Sequence, residues 1–173
     1  VHDLGVPCFL YGPPGGALTT SRTLPDIRSA AWTDLAPDLG PDRPHPRAGA
    51  ICVGARPILV AYNIWVDSPS GIDEVRAIAR AMRSPRVRTL ALTFADSFQV
   101  SMNLIDPERI GPQRVYNQVH TLIRATSLRL RRCELVGLIP RAVLDKIDPE
   151  NWEVLDLSDD KTIESRLARL DQP

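Results

Sequence analysis

The chain has 173 residues, 43% of them apolar, and its 21 lysines and arginines balance 21 aspartates and glutamates. Such a length buries a core for one soluble domain, or one and a fraction, without metal or disulfide support. Zero formal net charge argues against a general nucleic-acid or membrane-surface role, and no apolar run approaches the ~20 residues that span a bilayer.

Cys8, Cys52 and Cys133 lie far apart in apolar stretches. No CxxC or Cys/His cluster is present, so neither a zinc site nor a disulfide framework is expected. All three read as buried free thiols in a reducing cytoplasm.

Taken in chain order, Val6–Tyr11 is a short apolar run that reads as a buried strand, closed by a loop at Gly12-Pro13-Pro14-Gly15-Gly16. Leu24–Ala31 suits a short helix. Residues 33–49 form a connector in which prolines 37, 41, 44 and 46 disfavour helix. Ala50–Ala55 and Ile58–Val66 are strand-like, the second apolar on both faces. Asp67-Ser68-Pro69 reads as a helix start, a side-chain cap followed by proline in the first turn. Ile72, Val75, Ala79 and Met82 continue at helical spacing until Pro85.

Val87–Phe94 and Phe98–Leu104 are the next strands. In the second, Phe98, Val100, Met102 and Leu104 alternate with the polar Gln99, Ser101 and Asn103. A helix is predicted from Pro112, with Val115, Val119, Leu122 and Thr126 inward. Cys133–Leu138 is a strand, Arg141–Ile147 a short helix, and Asp159–Leu170 a terminal helix. Without the strand at Ala50–Ala55, this order is that of a ferredoxin-like split βαβ unit, an α+β fold with helices on one face of a mostly antiparallel sheet. A remnant of a second α/β subdomain would precede it. Arg129, Arg131 and Arg132 read as solvated charge beside a strand.

Two segments are candidates for ligand binding. The first is Gly40, Pro41, Asp42, Arg43, Pro44, His45, Pro46, Arg47, Ala48 and Gly49. Its glycines admit close backbone approach, Arg43, His45 and Arg47 can donate to carboxylates, and its prolines lower the ordering cost of binding. By spacing alone a stiff interdomain linker fits these residues as well. The second is an amide and hydroxyl stripe of Gln99, Ser101 and Asn103 with Asn63 and Gln118, which can hold a flat polar ligand or simply face water. Of the three histidines, His2 sits at a chain end, His120 on a helix, and only His45 in a ligand-binding context. No GxSxG elbow or phosphate loop is present.

Six strings resemble glutamate formiminotransferases in order and approximate gaps: VPCFLYG (6–12), RTLPDIR (22–28), LAPDLGP (35–41), HPRAGAICVGARPILVAYNI (45–64), QVSMNL (99–104) and ELVGLIP (134–140). The resemblance implies folate-dependent transfer of a formimino group from N-formimino-L-glutamate to tetrahydrofolate, in histidine degradation. A formyl donor fits the same strings. It implies tetrahydrofolate as co-substrate, no metal, a cytoplasmic location, and folate and formiminoglutamate as ligands. No nucleic-acid or membrane partner is expected, and a homodimer is compatible with the strings. It further implies residues 1–39 as the end of an N-terminal subdomain, 40–49 as a folate-side junction and 50–173 as the C-terminal subdomain.

In that family the catalytic histidine stands in a His-Pro-Arg-Met-Gly-Ala motif ahead of the VPCFLYG strand. By order and neighbours, HPRAGA at 45–50 is not that motif. No catalytic residue is therefore assigned to this chain, and a partial chain would be inactive without the missing N-terminal subdomain. The alternative is a non-catalytic folate-binding or subunit-interaction module.

Overall fold

The computed structural model describes residues 2–12, 21–95 and 97–170. The loop expected at Gly12–Gly16 lies, beyond Gly12, outside the described residues. The chain divides into two units, Val1–Pro57 and Ile58–Pro173.

In the first unit β1 (Cys8–Tyr11) pairs in parallel with β2 (Ile51–Gly54), Cys8 opposite Ile51 and Tyr11 opposite Gly54. The helix between them, α1 (Leu24–Ala30), is short but well started. Thr23 and Asp26 form a reciprocal capping box, and Pro25 occupies the first turn. Ile27 and Phe9 are buried, and Phe9 meets Trp32 edge to face with ring centroids 5.1 Å apart. Cys8 is buried as expected, but Cys52 is exposed. Strand β2 is exposed at Ile51, Cys52 and Val53, so its apolar composition does not mark a covered strand.

The second unit is built from β3 (Val60–Asp67), α2 (Ile72–Met82), β4 (Val87–Phe94), β5 (Ser97–Leu104), α3 (Pro112–Ile123) and β6 (Arg129–Val136). The strands lie in the order β4-β5-β3-β6, and every neighbouring pair is antiparallel. This is the ferredoxin-like arrangement that the strand and helix order predicts. Strand β3 sits between β5 and β6, and its inward residues Val60, Tyr62, Ile64 and Val66 are fully buried. They meet Val75, Ile78 and Met82 of α2 and Val115, Val119 and Ile123 of α3 in one core. Complete burial of one such side chain contributes roughly 1.5–3 kcal/mol, so this strand carries much of the unit's hydrophobic stabilisation.

The helix start read at Asp67-Ser68-Pro69 is not used. Asp67 is still in the β3 ladder opposite Arg129, and its carboxylate lies 3.7 Å from Arg131. Residues 68–71 form a turn in which Ser68 Oγ donates to the Gly71 carbonyl at 2.6 Å. Gly71, at φ +82°, then turns the chain into α2. That backbone conformation favours glycine. Asp73 and Glu74 supply the negative charge that the uncapped helix start favours.

After β6 the chain returns as α4 (Arg141–Leu144) and α5 (Ile163–Leu170). The expected terminal helix is split by an extended residue, Thr162, whose backbone bridges Ile139. Leu135 N–H donates to Asp156 Oδ2 at 2.9 Å, and the buried Tyr62 hydroxyl donates to the Leu155 carbonyl at 2.9 Å. These bonds seat the tail against β6 and β3. Arg141 ties α4 to α5 through Asp159, Thr162 and Ser165.

Candidate ligand-binding segment and sheet face

The Gly40–Gly49 segment belongs to the first unit and is anchored at both ends to β1. On one side Cys8 N–H donates to the Leu39 carbonyl at 2.8 Å. Asp38 Oδ2 accepts from Leu10 N–H at 2.7 Å, and its other oxygen pairs with Arg22. Partial burial raises the Asp38 carboxyl, but these donors outweigh it and hold the pKa below the usual aspartate value. On the other side Ile51 N–H donates to the Pro7 carbonyl at 2.9 Å. Gly40 has φ +85°, and a Cβ there would stand 3.0 Å from the Val6 carbonyl oxygen. Only glycine takes this close approach without strain.

Between these anchors the segment closes on itself. His45 and Gly49 exchange two backbone hydrogen bonds of 2.8 Å each, with Gly49 at φ +66°. His45 Nδ1 accepts from Arg47 N–H at 3.2 Å and from Ala48 N–H at 3.0 Å. An accepting Nδ1 assigns the proton of the neutral ring to Nε2. His45 therefore organises the loop through one nitrogen and offers a donor through the other. Arg43 and Arg47 are exposed and form no ion pair among the described residues. Glycines, prolines and cations are thus brought into one short, internally bonded loop.

In the second unit the polar stripe lies on the sheet face opposite the helices. Asn63 pairs with Ser101, Trp65 with Gln99, and Ala61 with Asn103. The stripe has a centre that its own residues do not reveal. Glu134 of β6 stands directly opposite Asn63. Its Oε2 accepts from Asn63 Nδ2 at 3.0 Å, Trp65 Nε1 at 2.9 Å and Gln99 Nε2 at 3.3 Å. Its Oε1 lies 3.4 Å from Arg132, whose guanidinium carbon is 4.4 Å from the Trp65 ring centroid. Phe94 also packs on Trp65, with the two ring centroids 4.8 Å apart.

Burial raises the Glu134 carboxyl, but the Asn63 and Trp65 donors and the Arg132 charge bring its pKa below the ordinary glutamate value. It is a fixed anion at neutral pH, unsuited to proton transfer there. Its chemical role is to orient. Asn63 and Gln99 turn their NH₂ groups toward it, which leaves their amide oxygens to accept from a ligand.

One expectation for this face is corrected and another is extended. Gln118 is exposed on α3, on the helix side of the sheet, and does not join the stripe. Arg132 is exposed, as a solvated charge would be, but it lies within β6 and its guanidinium also stacks on Trp65. Among the described residues no group of three His, Cys, Asp or Glu side chains could hold a metal ion.

Fold and surface together define an α+β ferredoxin-like unit that carries an amide-carboxylate cluster, joined in sequence to a parallel β-α-β piece with a structured loop. The chain is 30% identical to the formimidoyltransferase-cyclodeaminase of Gallus gallus, over 83% of this chain and 30% of the relative. It is 29% identical to the glutamate formimidoyltransferase of Streptococcus pyogenes serotype M1, over 83% of this chain and 53% of the relative. It is also 29% identical to the glutamate formimidoyltransferase of Thermoplasma acidophilum, with shares of 83% and 52%. No protein-family model matches the chain. The chain is similar to formimidoyltransferases over 83% of its own length. It spans about half the length of the single-activity relatives and about a third of the length of the fused one.

Proposed function

We propose that this chain contributes part of a folate-binding surface to formimino transfer from N-formimino-L-glutamate to tetrahydrofolate, a step of histidine degradation in the cytoplasm. The observation that carries this reading is the similarity, over 83% of the chain, to proteins named glutamate formimidoyltransferase. Gly40–Gly49 is the folate-side segment. Its anchored loop presents Arg43 and Arg47 as donors for the carboxylates of folate or of the glutamate moiety, and a preformed loop lowers the ordering cost of binding.

The catalytic base lies outside these residues. His45 is committed to the loop through Nδ1, and Glu134 is held ionised by its donors. A positioned acid or base contributes about 10²–10⁴-fold in rate, so without it the chain alone turns over negligibly. Incubation of the chain with tetrahydrofolate and N-formimino-L-glutamate, followed by assay for free glutamate, tests this. Robust turnover by the chain alone would contradict it.

A second reading, a non-catalytic subunit-interaction module, is favoured by one observation. The sheet face that holds the cluster also exposes Leu90, Phe94 and Val136, which are 62%, 43% and 50% accessible. Concentration-dependent self-association of the chain, abolished by Phe94→Asp, would support that reading.

A further inference from the structure

A groove of about 700 Å³ opens on the helix side of the second unit, so the sheet separates it from the Glu134 face. Its volume is that of a small-molecule site. Met82 of α2, Leu122 of α3, and Val143 and Ile147 of the returning chain give it apolar walls. Three cations line it: Arg109, Arg114 and Lys146. Glu108 is its one carboxylate and is matched by Lys146 at 3.3 Å. Arg109 pairs with Asp106 at 3.4 Å, whereas Arg114 has no ion pair among the described residues.

One further feature points the same way. The groove runs along the start of α3, a 12-residue helix with Gly111 at its cap position, no side-chain cap and no acidic residue in its first turn. Such a helix end favours an anion.

We propose that this groove binds a small organic carboxylate with an apolar body. The carboxylate sits against Arg114 and the first turn of α3, and the apolar body lies against Met82, Val143 and Ile147. Charge balance and volume favour this occupant over a neutral or cationic one.

Indole-3-acetate carries both elements and serves as the probe, titrated into the ¹⁵N-labelled chain. Indole-3-ethanol lacks the carboxylate. Saturable shifts of the Gln113 and Arg114 amides are expected, with Kd at or below about 1 mM. Indole-3-ethanol and the Arg114→Ala variant should each weaken binding about tenfold. Arg124→Ala, outside the groove, should change nothing. No saturable shifts at these amides up to about 10 mM would overturn the proposal. So would equal affinity for the alcohol, or an Arg114→Ala variant that binds like the parent chain.

Discussion

The indole N–H of Trp65 donates to Glu134 Oε2 at 2.9 Å, across two strands whose residues lie 69 positions apart in sequence. Asn63 and Gln99, 8% and 4% exposed, donate to the same oxygen. Glu134→Leu would leave these donors without an acceptor in a largely buried place. A stranded buried donor costs about 1–3 kcal/mol, so an overall loss of about 2–3 kcal/mol is expected, and about 1 kcal/mol for Glu134→Gln, which still accepts. Urea unfolding of the parent chain and the two variants measures this. Equal stability of the two variants would contradict it.

The same carboxylate gives the second unit an acid-sensitive component. The folded pKa of Glu134 lies below its ordinary value of 4.5, so the unfolded chain takes up its proton first as pH falls. Its contribution is complete above that value and is lost progressively below it. The urea midpoint of the parent chain should therefore fall more steeply between about pH 5 and pH 3 than that of Glu134→Gln. Parallel curves would contradict the assignment.

In the first unit Gly54 stands opposite Tyr11, and a Cβ there would lie 2.2 Å from the Tyr11 carbonyl oxygen. Backbone must move to admit it, at about 1–3 kcal/mol. Gly54→Ala should accelerate hydrogen exchange of the Cys8–Tyr11 amides and leave β3 and β5 unchanged. Unchanged exchange in β1 would contradict the close approach.

His45 bonds the Arg47 and Ala48 amides through Nδ1. Asn at this position can bond amides two and three residues on, as Asx turns do. His45→Asn should therefore keep both amides protected, while His45→Ala should lose about 1–2 kcal/mol of local stability, read as faster exchange at residues 47 and 48. Equal exchange in both variants would show that the ring does not organise the loop.

Most of the second unit was legible in the sequence because each element has a pattern of its own. Phe98, Val100, Met102 and Leu104 alternate with polar residues and do lie on the core face of β5. Val75, Ala79 and Met82 recur at helical spacing and are buried. Where a tertiary pairing competes with a local signal, the local signal fails. Asp67-Ser68-Pro69 has the chemistry of a helix cap, but pairing with Arg129 extends β3 through Asp67. Cys52 sits in an apolar string whose exposed side no periodicity announces.

The Glu134 cluster was only half visible for a similar reason. Asn63 and Gln99 belong to strands whose alternation marks a polar face. Arg132 and Glu134, two apart on β6, meet Trp65 only through the β3–β6 register, which shifts between Trp65 and Val66. Nothing local to residues 129–136 encodes that register. Gln118 falls outside the stripe because residue type alone, without a strand to place it, does not assign a side chain to a sheet face.

The central claim is that Gly40–Gly49 binds folate carboxylates. Calorimetric titration of the chain with 5-formyltetrahydrofolate tests it most directly, beside an Arg43→Ala/Arg47→Ala double variant. The expected result is weak saturable binding by the parent chain, with Kd on the order of 100 μM, and a loss of tenfold or more, about 1.4 kcal/mol, in the double variant. No binding up to about 1 mM folate, or equal affinity of the two chains, would contradict it.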